Sequence, residues 1–188
     1  MRIKATYFQP GNYYHIYNHA AQKLLLFRDT EDYRKCLSIM NTYLKSPDFS
    51  MVAFCLMPNH YHFFIRQNGE CPIYLIMGKI WFQYSRYYNK KYGGKGSIFA
   101  GKLQHKHVDK DEYLLSLSAY IHQNQVTAGL VDSPELWEWS NYREWIGLRA
   151  TQVCDFSICR AYFKDEASYM KIMDAIADSK QIKSYVLD

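Results

Sequence analysis

Between Cys71 and Val108 the chain contains no aspartate or glutamate. The same stretch carries Lys79, Arg86, Lys90, Lys91, Lys95, Lys102 and Lys106 together with His105 and His107. The chain also lacks any hydrophobic run long enough to cross a bilayer, and no charged-then-apolar leader opens it, so a cytoplasmic protein without a membrane partner is expected. Its five cysteines are odd in number and show no CxxC spacing, which argues against a disulfide framework and against a structural zinc site. Cys154 and Cys159, the nearest pair, are expected to be reduced. No internal repeat or low-complexity segment is present.

With 188 residues, 48% of them hydrophobic, the chain is long enough to close one substantial core. Its net charge of +5 points only loosely to a polyanion, but the charge distribution is more specific. The acid-free stretch interleaves its cations with Trp81, Phe82, Tyr84, Tyr87, Tyr88, Tyr92 and Phe99. Cations neutralise phosphates and aromatic faces stack on unpaired bases, the combination used for single-stranded nucleic acid. A helix over about 74 to 92 would turn Trp81, Tyr84 and Tyr88 into a core, leaving the lysines around Gly93-Gly94-Lys95-Gly96 as the better phosphate contacts.

The order of periodic segments predicts a strand at about 12 to 19, a helix at 30 to 46, hairpin strands at 50 to 57 and 60 to 67, a helix at 73 to 92, a strand at 98 to 108 and a helix at 110 to 124. This βαββαβ pattern implies an α+β fold, an antiparallel sheet with helices on one face in the ferredoxin-like arrangement. A helical C-terminal extension follows, with Trp137, Trp139, Tyr142 and Trp145, then a polar helix from about 164 to 177. Residues 1–131 are read as the catalytic unit and 132–188 as an extension that packs on it or regulates it.

Pro58-Asn59 marks the hairpin turn, and the second strand opens His60-Tyr61-His62. Alternation sends His60 and His62 to one face and Tyr61 to the other. Two neutral imidazoles so placed can hold a divalent metal, although a pair of this kind is also an ordinary polar edge. A second pair, His105 and His107, has the same alternation but carries Lys106 between its members, and reads as a basic DNA-facing edge rather than a rival metal pair. In the predicted helix from Asp111, Tyr120 and Asn124 are neighbours one turn apart. Taken alone, Tyr120 could be an amphipathic core residue and Asn124 a helix-ending residue.

Several blocks carry a resemblance: GNYYHIYNHA (11–20), FRDTEDY (27–33), MPNHYHFF (57–64), IFAGKL (98–103), VDKDEY (108–113), YIHQNQVTAGLV (120–131) and WSNYREWIG (139–147). In order and spacing they resemble the single-tyrosine HUH transposases, and among them the REP-associated tyrosine transposases. The resemblance spans about residues 9 to 150. It implies the same ferredoxin-like fold, a divalent metal held by His60, His62 and Asn124, and Tyr120 as nucleophile. The chain departs from the family at Gln125, where relatives usually carry proline.

A phenol titrates near pH 10, so Tyr120 needs help to act as a nucleophile at neutral pH. The resemblance implies Mg²⁺ or Mn²⁺ as cofactor, a 5′-phosphotyrosine intermediate, and strand cleavage and joining on single-stranded DNA that bears hairpins or palindromic repeats. The DNA contacts expected are Arg86, Lys90, Lys91, Lys95, Lys102, His105, Lys106 and His107. A monomer or homodimer associated with the nucleoid is expected. Two other readings remain open: a non-catalytic binder of DNA hairpins, and a metal-dependent nuclease that uses water.

Overall fold

The computed structural model describes residues 8–22, 24–109, 111–150, 153–163 and 165–177. Four strands, β1 (Tyr13–His19), β2 (Phe49–Met57), β3 (His60–Gln67) and β4 (Gln104–Val108), form one antiparallel sheet in the order β2-β3-β1-β4. The helices α1 (Thr30–Leu44) and α2 (Ile73–Tyr92) connect them in the βαββαβ order expected from the sequence. After β4 come α3 (Asp111–Thr127), a single 3-10 turn at Pro134–Leu136, α4 (Tyr142–Trp145), α5 (Ser157–Tyr162) and α6 (Glu166–Ala177). No helix among the described residues is long and apolar enough to cross a membrane, and all five cysteines are free.

The sheet packs apolar side chains on both faces. Tyr14, Ile16, Phe54, Leu56, Tyr61, Phe63 and Ile65 point toward α1 and α2 and share a core with Met40, Ile80, Trp81, Tyr84 and Tyr88. Trp81, Tyr84 and Tyr88 are buried, as the helical spacing of α2 requires. Val52, Ala53, Cys55, Met57 and Phe64 point the other way, against Leu114, Leu117 and Ile121 of α3 and Tyr142, Cys159, Tyr169 and Met173 of the extension. Thus α1 and α2 occupy one face as expected, while α3 and the C-terminal segment cover part of the other.

A bulge between Met51 and Ala53 on β2 lets the strand serve both layers, because Val52 and Ala53 face the α3 side in succession. The extension also runs along the β2 edge: the amide of Leu56 donates to the Trp139 carbonyl at 2.9 Å and that of Asp155 to the Met51 carbonyl at 2.8 Å. Backbone groups that an edge strand would leave unpaired are thereby satisfied.

Two element boundaries differ from the sequence reading. The fourth strand begins at Gln104 rather than near 98, because Ile98 is drawn into the α1–α2 core and Phe99 only bridges Ala20 before the chain turns. α3 runs to Thr127 instead of ending at Asn124. Gln125 keeps its backbone inside the helix, which a proline at this position would disturb, and the end comes at Gly129 with φ of 68°. There the amides of Gly129 and Leu130 donate to the carbonyls of Val126 and Gln125, the closing pattern of a Schellman motif. Lys110 and Lys164, where the sequence reading starts the last two long helices, lie outside the described residues.

Candidate active site

The α3-facing side of β1 and β3 is built from imidazoles. In β3, His60 and His62 share this face, with His60 half-buried and His62 buried. In the adjacent β1 the same alternation presents Tyr13, His15, Tyr17 and His19, and the register sets His19 opposite His60 and Tyr17 opposite His62. The His19 and His60 rings stack with centroids 5.0 Å apart, those of His15 and His62 at 5.2 Å, and His60 and His62 meet edge to face at 5.0 Å. Sequence reasoning found His60 and His62 but missed His15, Tyr17 and His19. The available signal was the period-two run Tyr-x-His-x-Tyr-x-His from residue 13, which becomes a site only once β1 is known to pair with β3.

α3 crosses above this face and brings Tyr120 and Asn124 to it. The Tyr120 ring stands edge-on to His62 with centroids 5.7 Å apart. Asn124 is buried, its Nδ2 has no hydrogen-bond partner among the described residues, and its amide lies close enough to influence the titration of both His60 and Tyr120. The two histidines, the amide and the phenol selected from the sequence therefore converge on one point from two elements.

The hydrogen bonds around the imidazoles orient their free nitrogens. His60 Nδ1 lies 2.8 Å from Asn59 Oδ1, an acceptor, so Nδ1 carries the proton and Nε2 keeps its lone pair. His62 Nδ1 lies 3.0 Å from Nε2 of the buried His15. If His62 binds an ion through Nε2, its proton sits on Nδ1 and is donated to His15, the supporting contact that metal-bound histidines generally require. Burial, with the Lys106 charge second, holds His15 down to about 3. Burial and the neighbouring His19 lower His60 to about 4 against the opposing influence of the Asn124 amide, and burial with three imidazole neighbours holds His62 well below the ordinary range. Both candidate ligands are thus neutral at physiological pH, the form that binds cations.

Among the described residues no three His, Cys, Asp or Glu side chains are placed to hold a metal by themselves. The available donor set is His60 Nε2, His62 Nε2 and the Asn124 amide oxygen. Two imidazoles and an amide suit a borderline divalent ion and leave positions for phosphate oxygens. A first expected result follows from the His15 contact. His15→Phe, which keeps a ring in the core but removes the acceptor, should weaken Mn²⁺ binding about tenfold to a hundredfold; unchanged affinity in a Mn²⁺ titration followed by electron paramagnetic resonance would remove His15 from the site.

The residues chosen as DNA contacts do not share one face. Lys106 lies opposite His15 in the β1–β4 register and so belongs to the histidine face, and its charge is felt at His15. His105 and His107 alternate to the other face, where their rings meet Phe8 at 4.8 Å and Tyr14 at 5.4 Å. That placement separates this second pair from His60 and His62. Arg86, Lys90, Lys95 and Lys102 are exposed. Lys91 departs from the sequence expectation: its ammonium sits 2.9 Å from Asp29, 2.9 Å from Glu31 and 3.0 Å from the fully buried Asp32. It joins the C-terminal turn of α2 to the N-terminus of α1 instead of standing free for phosphate. The acids that capture it lie about sixty residues away in the chain, so sequence proximity to Lys90 and Lys95 was a poor guide.

The model of the IS200-like transposases matches residues 9–124. The chain belongs to this transposase family. A solved structure described as a REP-associated tyrosine transposase bound to a REP hairpin superposes with a TM-score of 0.64 at 19% identity, covering 84% of this chain and 96% of that one. At that identity the likeness establishes the shared fold. No curated protein matches the chain. The family match ends at Asn124, so it takes in every residue of the candidate site and stops short of the C-terminal segment that packs behind α3.

Proposed function

We propose that this transposase cleaves and rejoins single-stranded DNA at palindromic hairpins through a covalent bond to Tyr120. The observation that carries the proposal is the meeting of Tyr120 and Asn124 from α3 with His60 and His62 from β3. His60, His62 and Asn124 would hold Mg²⁺ or Mn²⁺. When bound, such an ion polarises the scissile phosphate and offsets charge on the leaving oxygen.

The chain's own residues supply the rest. Tyr120 Oη forms the new bond to phosphorus as the bond to the 3′ oxygen breaks, leaving a 5′-phosphotyrosine and a free 3′-hydroxyl. Energy stored in the ester lets a second 3′-hydroxyl attack and release the tyrosine, which joins strands. Burial pushes the Tyr120 phenol up to about 12, opposed by the nearby Asn124 amide, so the phenol is protonated at neutral pH in the isolated site. His15 orients His62, and Asn59 orients His60.

Lys106 beside the histidines and the exposed Arg86, Lys90, Lys95 and Lys102 provide phosphate contacts, with recognition resting on hairpin shape and flanking bases. The solved relative was captured on a REP hairpin, which makes palindromic repeats the first substrates to try. The same reading places the enzyme at the nucleoid. Incubation with Mn²⁺ and a hairpin oligonucleotide labelled on the 3′ side of the cut should produce a labelled protein band that survives denaturing electrophoresis. Label recovered only in free DNA would instead indicate hydrolysis by water, and hairpin binding without any cut would indicate a binder.

The ion pairs of Lys91 yield a further expected result. Lys106→Gln should flatten the salt dependence of DNA binding by about one unit of log slope, whereas Lys91→Gln should leave the slope unchanged and lower the melting temperature. A flattened slope in Lys91→Gln would return that lysine to the DNA interface.

A further inference from the structure

Asn141 and His122, the histidine two residues beyond Tyr120, lie outside the chemistry described above, yet both are buried between the sheet and the C-terminal segment. Asn141 is fully buried and plugs the β2 bulge: its Oδ1 accepts the Phe54 amide at 2.6 Å and its Nδ2 donates to the Val52 carbonyl at 3.0 Å. These two bonds fix the orientation of the amide. His122 Nε2, 2.9 Å from the same Oδ1, must therefore donate, which leaves Nδ1 as an acceptor for the Tyr169 hydroxyl at 2.7 Å. Both imidazole nitrogens of His122 are thus satisfied, one from the sheet side and one from α6.

The same helix is held at a neighbouring point by Gln125, which is also fully buried. Its Oε1 accepts from Cys55 Sγ of β2 at 3.2 Å, and its Nε2 donates to the His122 carbonyl at 2.6 Å. Tyr169 is itself fixed by ring contacts to Trp145 at 4.8 Å and Phe163 at 4.7 Å. His122 lies midway between Tyr120 and Asn124 in sequence, about 100° of helix rotation per residue, and its bonds leave α3 no freedom to roll without breaking a buried hydrogen bond.

We propose that His122 is a positioning residue: clamped between Asn141 and Tyr169, it fixes the rotation of α3 and with it the placement of Tyr120 and Asn124 over His60 and His62. The inference rests on the reading of those four residues as the active site. On this view the C-terminal segment beyond residue 131 is part of the catalytic apparatus, because it supplies Asn141 from one side and Tyr169 from the other. Strand β2, which pairs with the histidine strand, and α3, which carries the nucleophile, are thereby referenced to each other through one side chain.

The test uses the full chain with Tyr169→Phe, which keeps the ring and removes only the hydroxyl, and with His122→Phe. Three quantities are measured well below each variant's melting temperature: the maximal rate of adduct formation on hairpin DNA, the DNA concentration giving half that rate, and the Mn²⁺ affinity of the DNA-free protein. Tyr169→Phe should lower the maximal rate about tenfold to a hundredfold and weaken Mn²⁺ binding through Asn124, with the half-saturating DNA concentration unchanged. A purely structural role would lower only the melting temperature. Folded Tyr169→Phe protein with wild-type maximal rate and wild-type Mn²⁺ affinity would overturn the proposal; if His122→Phe does not fold, Tyr169→Phe alone decides. Wild-type protein that forms no adduct would defeat the Tyr120 reading instead, and the Mn²⁺ affinities would still judge the role of His122.

Discussion

Tyr120→Phe should abolish the protein–DNA adduct and lower the cleavage rate on the order of a thousandfold or more, while hairpin affinity stays within about twofold of wild type. The asymmetry follows from what the substitution removes. Phenylalanine retains the ring that stands edge-on to His62 at 5.7 Å and the packing of α3 on the sheet, so the imidazole pair and Asn124 keep their places. Only the hydroxyl is lost, and with it the atom proposed to bond to phosphorus. A gel-shift assay with the hairpin and a denaturing gel after Mn²⁺ addition separate the two quantities. Cleavage at the wild-type rate in Tyr120→Phe, with both products free, would mean that water is the nucleophile.

Acid should unfold the metal-free protein sharply between about pH 6 and pH 4. Three histidines are fully buried in the fold: His15, His62 and His122. Burial lowers all three, His15 to about 3, His122 to about 4 and His62 well below the ordinary range. In the unfolded chain each takes a proton near pH 6.5, so below that pH the unfolded state binds more protons and is favoured. Their contribution to stability is intact above pH 6.5 and declines as pH falls toward 4. Each neutral imidazole then removes about 1.4 kcal/mol per pH unit, so by pH 5 the three together withdraw about 6 kcal/mol. That approaches the whole stability of an ordinary domain. Thermal melts followed by circular dichroism from pH 7.5 to 4.5 would measure it, and a flat melting temperature down to pH 5 would show that the folded protein accepts these protons without penalty. Mn²⁺, competing with protons for His60 and His62, should move the transition to lower pH.

The order of secondary structure was legible because α2 repeats its apolar residues at helical spacing and β2 and β3 are dense in β-formers around Pro58-Asn59. The reading faltered where tertiary contacts overrode local pattern. Ile98 and Phe99 look like strand residues, but the α1–α2 core and Ala20 claim them, and the ladder starts six residues later than expected. Gln125 drew attention as a departure from the family pattern, but nothing local indicates that its amide would turn inward to Cys55 and the His122 carbonyl.

The candidate site divides in the same way. His60, His62, Tyr120 and Asn124 could be picked out because two-residue and four-residue spacings fix which side chains share a face of a strand or helix. His15, Tyr17 and His19 share a face by the same rule, but only the pairing of β1 with β3 places them beside His60 and His62. Lys91 could not be distinguished from its neighbouring lysines until Asp29, Glu31 and Asp32 were seen to surround it.

By itself, then, the sequence determined the family, the strand and helix order and the four residues that project toward one site, because these depend on short-range periodicity and on the order of motifs along the chain. Only the tertiary structure decided which imidazoles support the candidate ligands, which lysine is drawn into an ion-pair cluster, and how the segment after residue 131 grips the tyrosine helix. Each of those depends on strand pairing or helix packing between residues 47 to 87 positions apart, and on burial that exists only once both faces of the sheet are covered.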